Sequence, residues 1–351
     1  MYRQKALAVV DIETNLAHDT IWMAGVYHPA CGTSTACYTA QELATALSGY
    51  DGIVGHNLLG FDIQVLRDVW GFEWTGDVID TLVLGRLLDP SVEGGHSLKQ
   101  WAHRAGGELK DEFAAEDFDL GLTDKMVDYC LQDCRANWDV LQYMLSIKED
   151  MGFSDDSEEL EHAVARITKQ QERNGFAFDF QSACTLYNEH TERMKAIEAE
   201  LQAMFPPIVE ERWSEKTGKR LKDKVTVFNV GSRQQVAERL AAKGAKWTRQ
   251  TPTGKPVVDE KSLAENTHVP EAQEVLEYMT LQKRVGMLKS WIDNCQEDGR
   301  IHGRVNTCGA VTGRMTHSKP NMAQVPAVGA QEGQARDEDH AVERKIMKPE
   351  N

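Results

Sequence analysis

The chain has 351 residues, of which 41% are hydrophobic and 27% are charged, and its formal net charge is −16. This length accommodates two domains with separate cores, and the apolar fraction excludes a wholly disordered chain. No segment approaches the ~20 uninterrupted apolar residues of a membrane span, and the first residues, MYRQKALAVVDIET, contain no signal-peptide cleavage site, so a cytoplasmic location is predicted.

Charge is distributed unevenly along the chain. Residues 1–160 hold 10 Lys and Arg against 28 Asp and Glu, a net charge of −18, whereas residues 161–351 hold 29 against 27, a net charge of +2. A uniformly acidic surface would repel a phosphate backbone. An acidic first half is instead suited to collecting divalent cations, and a near-neutral second half with basic clusters is suited to gripping nucleic acid.

The seven cysteines give no sign of a zinc site. The closest pairs are Cys31 with Cys37 and Cys130 with Cys134, and neither pair has a C-x-x-C spacing or a complementary second pair. Free and mostly buried thiols are predicted.

The first half of the chain alternates strand and helix signals. Nearly continuous apolar residues at 6–12 predict a buried strand, residues 20–28 a second strand, and CGTSTACYT a third. There follow a helix over about 40–47, the short strand GIVGHN, the helix FDIQVLRDVWG, and the segment VIDTLVLGRLLDP, which turns helical after Asp80. A long helix over about 123–145 closes an α/β domain that begins with a meander of strands.

Beyond residue 155 the pattern becomes mostly helical. Residues 158–205 carry helical patterns broken at Asn174-Gly175 and Pro206-Pro207, and further helices are predicted over 232–244 and 271–295. The polar, basic-weighted residues 209–227 indicate a turn region, and residues 300–326 indicate strand and loop. We therefore predict a first domain at 1–155, a helical region at 156–300, a short segment at 301–328 and a disordered tail at 329–351.

Acidic residues stand at three places that could carry chemistry. Asp11 and Glu13 lie two apart at the end of the first predicted strand, so their side chains share a face where it meets solvent. Asp62 lies in the first turn of a predicted helix, where the helix dipole alone would favour an acid. Asp133 lies on the long predicted helix. Taken singly, each acid has an ordinary structural interpretation.

Taken together, the acids form an ordered pattern: D-x-E on the first strand, N-x-x-x-F-D near residue 60 and Y-x-x-x-D near residue 130. This pattern resembles the Tyr-containing branch of the DEDD exonuclease superfamily, whose ribonuclease H-like fold gathers four acids around two divalent ions. By that resemblance Tyr129 orients the attacking water, and Asn57 and Phe61 hold the terminal nucleotide or frame the site. The metal ligands implied by the resemblance are Asp11, Glu13, Asp62 and Asp133.

The chemistry explains why four carboxylates would be needed. Phosphodiester hydrolysis requires a hydroxide near neutral pH and a stabilised leaving 3′ oxygen, which two Mg²⁺ ions roughly 3.5–4 Å apart supply together. Hard oxygen ligands suit Mg²⁺, with Mn²⁺ as a substitute, and no Cys/His spacing suggests zinc. Asp11 is expected to bridge the two ions.

The resemblance extends beyond the acids. VIDTLVLGRLLDP, GGHSLKQWAHRAGGELKDEF, QERNGFAFD and above all GRVNTCGAVTGRMTHSKPNMAQVP resemble family A DNA polymerases of the short-tailed T-odd phages, over about residues 5–327. In that family the last segment joins a helical, DNA-gripping thumb to the start of the palm. The DNA-contacting positions that it implies are Gly313, Arg314, Asn321 and Gln324. The basic residues expected to flank the duplex backbone are Lys283, Arg284, Lys289, Arg300 and Arg304.

Two departures from that family change what is expected. In the T-odd phage enzymes a long insertion in the thumb binds a host processivity protein. The corresponding segment of this chain, residues 206–228, is short, so a thioredoxin-type partner is in doubt. The resemblance ends after Val328, and no Asp-rich palm motif or K-x-x-x-N-x-x-x-Y-G fingers string follows. Polymerase activity is therefore not expected from this chain alone, and a companion chain with palm and fingers would be needed for synthesis.

The function predicted from the sequence is proofreading: a metal-dependent 3′→5′ exonuclease on DNA, from a truncated or split family A polymerase of a phage, acting in the host cytoplasm. Two alternatives remain open. A DEDD exoribonuclease would use the same chemistry on RNA, although the polymerase-like segment at 303–326 argues against it. A non-catalytic DNA-binding module of a split polymerase would not need all four acids.

Overall fold

The computed structural model describes residues 5–107 and 119–325. They divide into two compact units, one formed by residues 5–175 with His302–Ala323 and the other containing Phe176–Ile301. The first unit therefore runs past the expected boundary at residue 155, and it also takes in most of the short segment that begins at residue 301. The predicted tail at 329–351 lies outside the described residues.

A five-stranded mixed sheet forms the centre of the first unit. Its strands are β1 (Leu7–Thr14), β2 (Ile21–His28), β3 (Thr33–Cys37), β4 (Gly52–Gly55) and β5 (Asp77–Asp80), in the spatial order β3-β2-β1-β4-β5. Strand β1 is antiparallel to β2 and parallel to β4, while β2 and β3 are antiparallel and β4 and β5 parallel. The predicted α/β class and the opening meander of strands are confirmed.

In the part of this unit that the structure describes, the sheet is accompanied by the helices α1 (Ala40–Ala46), α2 (Asp62–Trp70), α3 (Thr81–Leu88), α4 (Leu98–Arg104), α5 (Asp124–Met151) and α6 (Asp155–Asn174). Strand β1 is buried on both faces, which explains its continuous apolar run. Ala8, Val10 and Ile12 pack in a cluster with side chains of α1 and α2. Leu7 and Val9 pack in a second cluster with side chains of α3, α4 and α5.

The second unit is mainly helical, with α7 (Phe180–Met204), α8 (Arg233–Ala241), α9 (Glu260–Ala264) and α10 (Pro270–Asp293). Helix α7 packs along α10, and their facing side chains form one apolar core. The short strands β6 (Phe176–Ala177) and β9 (Arg300–Ile301) pair in this unit. The hairpin of β10 (Arg304–Asn306) and β11 (Thr316–Ser318) belongs to the first unit.

The interpretation of residues 209–227 as a turn region was wrong. They form an antiparallel hairpin of β7 (Ile208–Trp213) and β8 (Arg220–Thr226). Every residue of β7 is exposed, so the strand carries no alternation of apolar and polar residues for a sequence to reveal. Cross-strand ion pairs support it instead, including Lys224 with Glu210 at 3.2 Å.

The seven cysteines are free thiols, and four of them are buried, as predicted. Within residues 5–107 and 119–325, no helix is both long and apolar enough to cross a membrane.

Candidate active site

Asp11 and Glu13 lie inside β1 rather than at its end. Their alternation with Ile12 places both side chains on the face that packs toward α5. Glu13 is only 6% exposed, so the expectation that this pair meets solvent was wrong for Glu13, whereas Asp11 is half-buried. The strand runs two residues further than its apolar pattern because Glu13 and Thr14 still pair with β2, across a bulge.

Gly25 lets α5 lie close to this face of the sheet. It pairs with Asp11 in the register of β1 and β2. A Cβ at Gly25 would lie 2.9 Å from the Cys130 Sγ and 3.0 Å from the Cys134 Sγ. The Cys130 thiol also donates to the Asp11 carbonyl oxygen at 3.6 Å. This close packing brings Tyr129 and Asp133, which flank Cys130 on α5, to the carboxylates of β1.

Asp62 approaches the same place from the N-terminus of α2. It is 3% exposed, and its carboxylate accepts hydrogen bonds from its own backbone N–H and from that of Ile12 in β1. The preceding turn reverses at Asn57, whose φ of 65° lies in the left-handed region that Asn tolerates. The Phe61 N–H closes the turn on the Asn57 carbonyl oxygen at 2.9 Å.

Asp80 holds this turn in place. Its carboxylate accepts from the backbone N–H groups of Asn57 and Leu59, each at 2.9 Å, and from that of Leu82 at 3.0 Å. Its own N–H donates to the His162 Nε2 at 2.9 Å. Asp80 is 1% exposed, so these bonds link β5, α3 and α6 to the turn before Asp62.

The charges of Asp62 and Asp133 raise the pKa values of both Asp11 and Glu13, which indicates that the four predicted acids lie close together. Burial first, and then Asp62, Glu13 and Asp133 among its neighbours, raises the pKa of Asp11 well above its usual range. Burial and the charges of Asp133 and Asp62 raise the pKa of Glu13 to about 8. Burial raises the pKa of Asp62 to about 7 and that of Asp133 to about 6.

Tyr129 and Asp133 form a pair one helical turn apart. The tyrosine hydroxyl donates to the Asp133 carboxylate, and burial together with the acids raises the pKa of Tyr129, so the hydroxyl keeps its proton. The Asp133 Oδ1 is buried and has no hydrogen-bond partner among the described residues. A buried carboxylate oxygen without a partner is costly unless a cation or water meets it.

The donor set fits a hard divalent cation. One carboxylate oxygen each of Asp11 and Glu13 and the Cys130 Sγ lie within 4.8 Å of one another. The thiol is a soft ligand and its proton is committed to the Asp11 carbonyl, whereas the carboxylate oxygens are the ligands that Mg²⁺ and Mn²⁺ prefer. A cation would satisfy the Asp133 oxygen and relieve the repulsion among the acids.

The residues predicted to contact DNA are partly placed near this cluster. Phe61 directly precedes Asp62, and its ring meets that of His18 edge to face at 4.8 Å. Asn57 and Phe61 both line a cleft in the first unit. The polymerase-like positions are all exposed: Gly313, with φ 73°, Arg314, Asn321 and Gln324. Their role in binding DNA stays a prediction.

The expectation that Arg284 flanks a duplex was wrong. Arg284 is 7% exposed because its position on α10 faces the core of the second unit. Its neighbours are exposed but paired: Lys283 with Glu260 at 2.7 Å and Lys289 with Asp293 at 2.9 Å.

Sequence reasoning missed Asp80 and several residues of the cleft. The motif VIDTLV contains a helix-capping signal, since an Asp before a helical pattern is a favoured N-cap. In the structure Asp80 is the N-cap of α3, and its side chain accepts from the Leu82 N–H. The hydrogen bonds from the Asn57 and Leu59 N–H groups to Asp80 join residues that are distant in sequence, so no local sequence pattern indicates them. Arg86 looked like an ordinary helical cation.

Comparison with known proteins finds similarity to DNA polymerases. The family model of DNA polymerase family A matches residues 192–351. The DNA-directed DNA polymerase of Escherichia phage T7 is 27% identical over 93% of this chain and 64% of its own length, and that of Enterobacteria phage T3 is 29% identical over 80% and 56%. DNA polymerase I of Aquifex aeolicus is 26% identical over 78% and 46%.

A solved structure shows a similar fold. The POL domain of Pol1 from M. smegmatis, in complex with DNA primer-template and dNTP, matches 97% of this chain and 54% of that chain, with a TM-score of 0.73 at 19% sequence identity. The chain is therefore similar to family A DNA polymerases, among them those of phages T7 and T3, and it spans 64% and 56% of the length of those two relatives.

Proposed function

We propose that the first unit is a ribonuclease H-like 3′→5′ exonuclease that removes nucleotides from DNA 3′ ends with Mg²⁺, as proofreading does in DNA replication. One observation carries the proposal: Asp11, Glu13, Asp62 and Asp133 lie together beside the Tyr129 hydroxyl, with Glu13 and Asp62 buried and the other two half-buried. Gathering four acids destabilises a fold unless cations offset the repulsion. A purely DNA-binding module would carry this cost without benefit.

The residues of the cluster have distinct parts in this proposal. The four carboxylates would hold two divalent ions, and Asp11, whose pKa is raised by all three other acids, would contribute to holding them. Ions bound there would lower the pKa of the attacking water and offset the charge on the departing 3′ oxygen. Tyr129, fixed by its bond to Asp133 and protonated, orients the water through its hydroxyl. Asn57 and Phe61 position the terminal nucleotide.

DNA is the proposed substrate because of the chain's relatives. The T7 and T3 proteins are DNA-directed DNA polymerases, and the similar Pol1 domain was solved with a DNA primer-template. An exoribonuclease would share the acid cluster but not this similarity to DNA polymerases. A companion chain stays a prediction, and a thioredoxin-type processivity factor stays in doubt.

The test is release of nucleotides from 5′-labelled single strands by the purified chain. We expect Mg²⁺-dependent shortening from the 3′ end of DNA, faster on a duplex with a mismatched 3′ end than on a matched one, and abolished by EDTA. A matched RNA strand separates the two substrate classes. Absence of shortening in both Mg²⁺ and Mn²⁺ would overturn the proposal, and preference for RNA would replace the substrate.

A further inference from the structure

A cleft of ≈ 600 Å³ opens in the first unit, and its lining includes Phe61, the residue that precedes Asp62. The turn that ends in Asp62 forms one wall through Asn57 and Phe61, and the other walls carry Arg86 of α3, Lys169 of α6 and Arg304 of β10. This volume lies within the range of pockets that enclose small organic ligands, and it exceeds the needs of a single ion.

The cleft collects positive charge in the acidic part of the protein. Arg86 is one of only 10 Lys and Arg in residues 1–160, and it lies here together with Lys169 and Arg304 from residues 161–351. Lys169 is paired with Glu172 at 2.8 Å, and Glu172 also accepts from the Val305 N–H, so this pair is balanced within the wall. The excess charge is that of the two arginines.

Neither arginine has a protein partner among the described residues 5–107 and 119–325. No hydrogen bond or ion pair is formed there by the side chain of Arg86, which is half-buried, or by that of Arg304, which is exposed. Asp80 attracts Arg86, but its oxygens already accept three backbone N–H groups. A guanidinium withdrawn from water without an acceptor is costly, and an anion in the cleft would remove that cost.

The remaining polar wall is uncharged near neutral pH. His56 exchanges hydrogen bonds with the Thr81 hydroxyl at 2.9 Å and the His96 carbonyl oxygen at 2.8 Å. Burial lowers the pKa of His56 to about 4, so its ring is neutral. The electrostatic selectivity of the cleft therefore comes from Arg86 and Arg304.

We propose that this cleft binds backbone phosphates of the single strand just upstream of the scissile nucleotide, with Arg86 and Arg304 as the phosphate ligands. The inference rests on the proposed exonuclease function, because the Asn57–Phe61 turn lines the cleft and leads directly into Asp62 of the acid cluster. Guanidinium groups bind phosphate oxygens in a bidentate manner, and the acidic surface elsewhere in this half would repel the strand. Free phosphate and a mononucleotide share this chemistry, and the test separates them.

The experiment compares two fluorescent DNA decamers by anisotropy. One is an ordinary single strand, and the other has neutral methylphosphonates at the second and third linkages from its 3′ end. Ca²⁺ replaces Mg²⁺, and gels verify that the strands stay intact. We expect the parent protein to prefer the charged strand by about 10-fold, the effect of a lost charge-assisted hydrogen bond. Arg86→Gln and Arg304→Gln should each reduce that preference to about threefold or less, and lower the salt slope by about one.

Two control variants make the comparison specific. Arg67→Gln removes an exposed arginine of α2 that pairs with Glu73 at 3.7 Å outside the cleft, and it should keep the full preference. Arg86→Lys keeps the charge and should retain more of the preference than Arg86→Gln. Thermal unfolding of each variant verifies that it is folded, and Arg304→Gln, at an exposed position, tests the site even if Arg86→Gln does not fold.

The outcomes separate this inference from the function on which it rests. Equal preference in the parent and both glutamine variants overturns the cleft as a strand site. Weaker binding of dTMP or inorganic phosphate in Arg86→Gln, measured by calorimetry, with the decamer preference intact, assigns the cleft to a free anion and also overturns it. If the preference falls as expected while Mg²⁺ supports no hydrolysis, the exonuclease proposal fails and phosphate binding stands.

Discussion

Asp133 differs from the other acids of the cluster because one of its oxygens is buried without a partner. If that oxygen is a metal ligand, Asp133→Asn should lower the rate of single-strand hydrolysis by about 1,000-fold, as should the same change at Asp11 or Asp62 and Glu13→Gln. Asp128→Asn is a matched control, because this acid is exposed on the same helix. Initial rates in saturating Mg²⁺ measure the effect. A loss within about threefold at any of the four positions would remove that residue from the ligand set.

Tyr129→Phe should have a milder effect, about 10- to 100-fold, because the acids remain and only the hydroxyl that orients the water is lost. The same hydroxyl lowers the pKa of Asp133, so its removal should raise that pKa and move the rise of the pH–rate profile to higher pH. Single-turnover rates between pH 6 and 9 report both effects. An unchanged rate and profile would leave Tyr129 only a packing role.

Asp80 is predicted to act on stability and through the turn before Asp62. Asp80→Ala leaves the N–H groups of Asn57, Leu59 and Leu82 without their acceptor, and a buried N–H without a partner costs about 1–3 kcal/mol. We expect the free energy of unfolding of the first unit to fall by about 3 kcal/mol or more. Asp80→Asn should fall less, since its amide oxygen still accepts. Denaturant titration of both variants measures the difference, and equal losses would contradict this account.

The sequence identified the four acids and Tyr129 but not what holds them. Their spacing forms a pattern along the chain, so it could be read without coordinates. Asp80 acts through backbone groups of residues that are distant in sequence, and Arg86 acts through its lack of a partner among the described residues. Neither property is visible in residue type or spacing, so both could be recognised only from the structure.

At the scale of elements, the distance between α5 and the sheet depends on Gly25. Gly25→Ala would put a methyl group 2.9 Å from the Cys130 Sγ, which is too close for α5 to stay in place. Because α5 carries Tyr129 and Asp133, we expect a loss of about 10-fold or more in hydrolysis together with lower stability. Activity and melting temperature should be measured on the same preparation.

A second glycine provides the control for that change. Gly286 lies in the middle of α10, and a methyl group added there would meet no neighbouring atom within 4 Å, so Gly286→Ala fills open space. Alanine favours a helix over glycine by about 0.5–1 kcal/mol, so this variant should be slightly stabilised and fully active. Full activity of Gly25→Ala would show that α5 tolerates the displacement.

The elements that the sequence predicted well are those whose burial gives a pattern. Strand β1 is buried on both faces and appeared as a continuous apolar run, and α5 and α10 appeared as long helical periodicities. Helix α4 has only seven residues, too few to establish a period. The β7–β8 hairpin has no buried face, so its pairing could not be inferred from polarity.

At the scale of the whole molecule, the uneven charge should affect both metal binding and DNA binding. The excess of acids in residues 1–160 should attract divalent cations to the cluster. It should also repel DNA, except where bound metal ions or arginine side chains offset the negative charge. Binding of a single strand should therefore depend on both Mg²⁺ and salt. The near-neutral second half carries no such repulsion, although many of its basic side chains are already paired with acids.

The coupled acids also predict how stability depends on pH and on Mg²⁺. Glu13, Asp62 and Asp133 have folded-state pKa values of about 8, 7 and 6, above the unfolded values near 4. A raised acid binds its proton more tightly in the folded state, so its contribution to stability is present at low pH and is lost as pH rises through the folded pKa. Without a divalent ion, the free energy of unfolding should fall between about pH 4 and 8.

The titration of His56 changes stability with pH in the opposite direction, so the measurement should be made in a pH range where His56 does not titrate. Its pKa is lowered to about 4, so it destabilises the folded state as pH falls below its unfolded value near 6.5. Melting curves at pH 6.5 and 8.5 therefore isolate the acids. Mg²⁺ at about 100 times its Kd adds about 2.7 kcal/mol, or roughly 5–10 °C, and the gain should be larger at pH 8.5, where protons no longer compete for the carboxylates. The double variant Asp11→Asn with Asp133→Asn should lose the gain at both values. An equal rise in melting temperature at the two pH values, or a rise that survives in the double variant, would place the bound Mg²⁺ somewhere other than these acids.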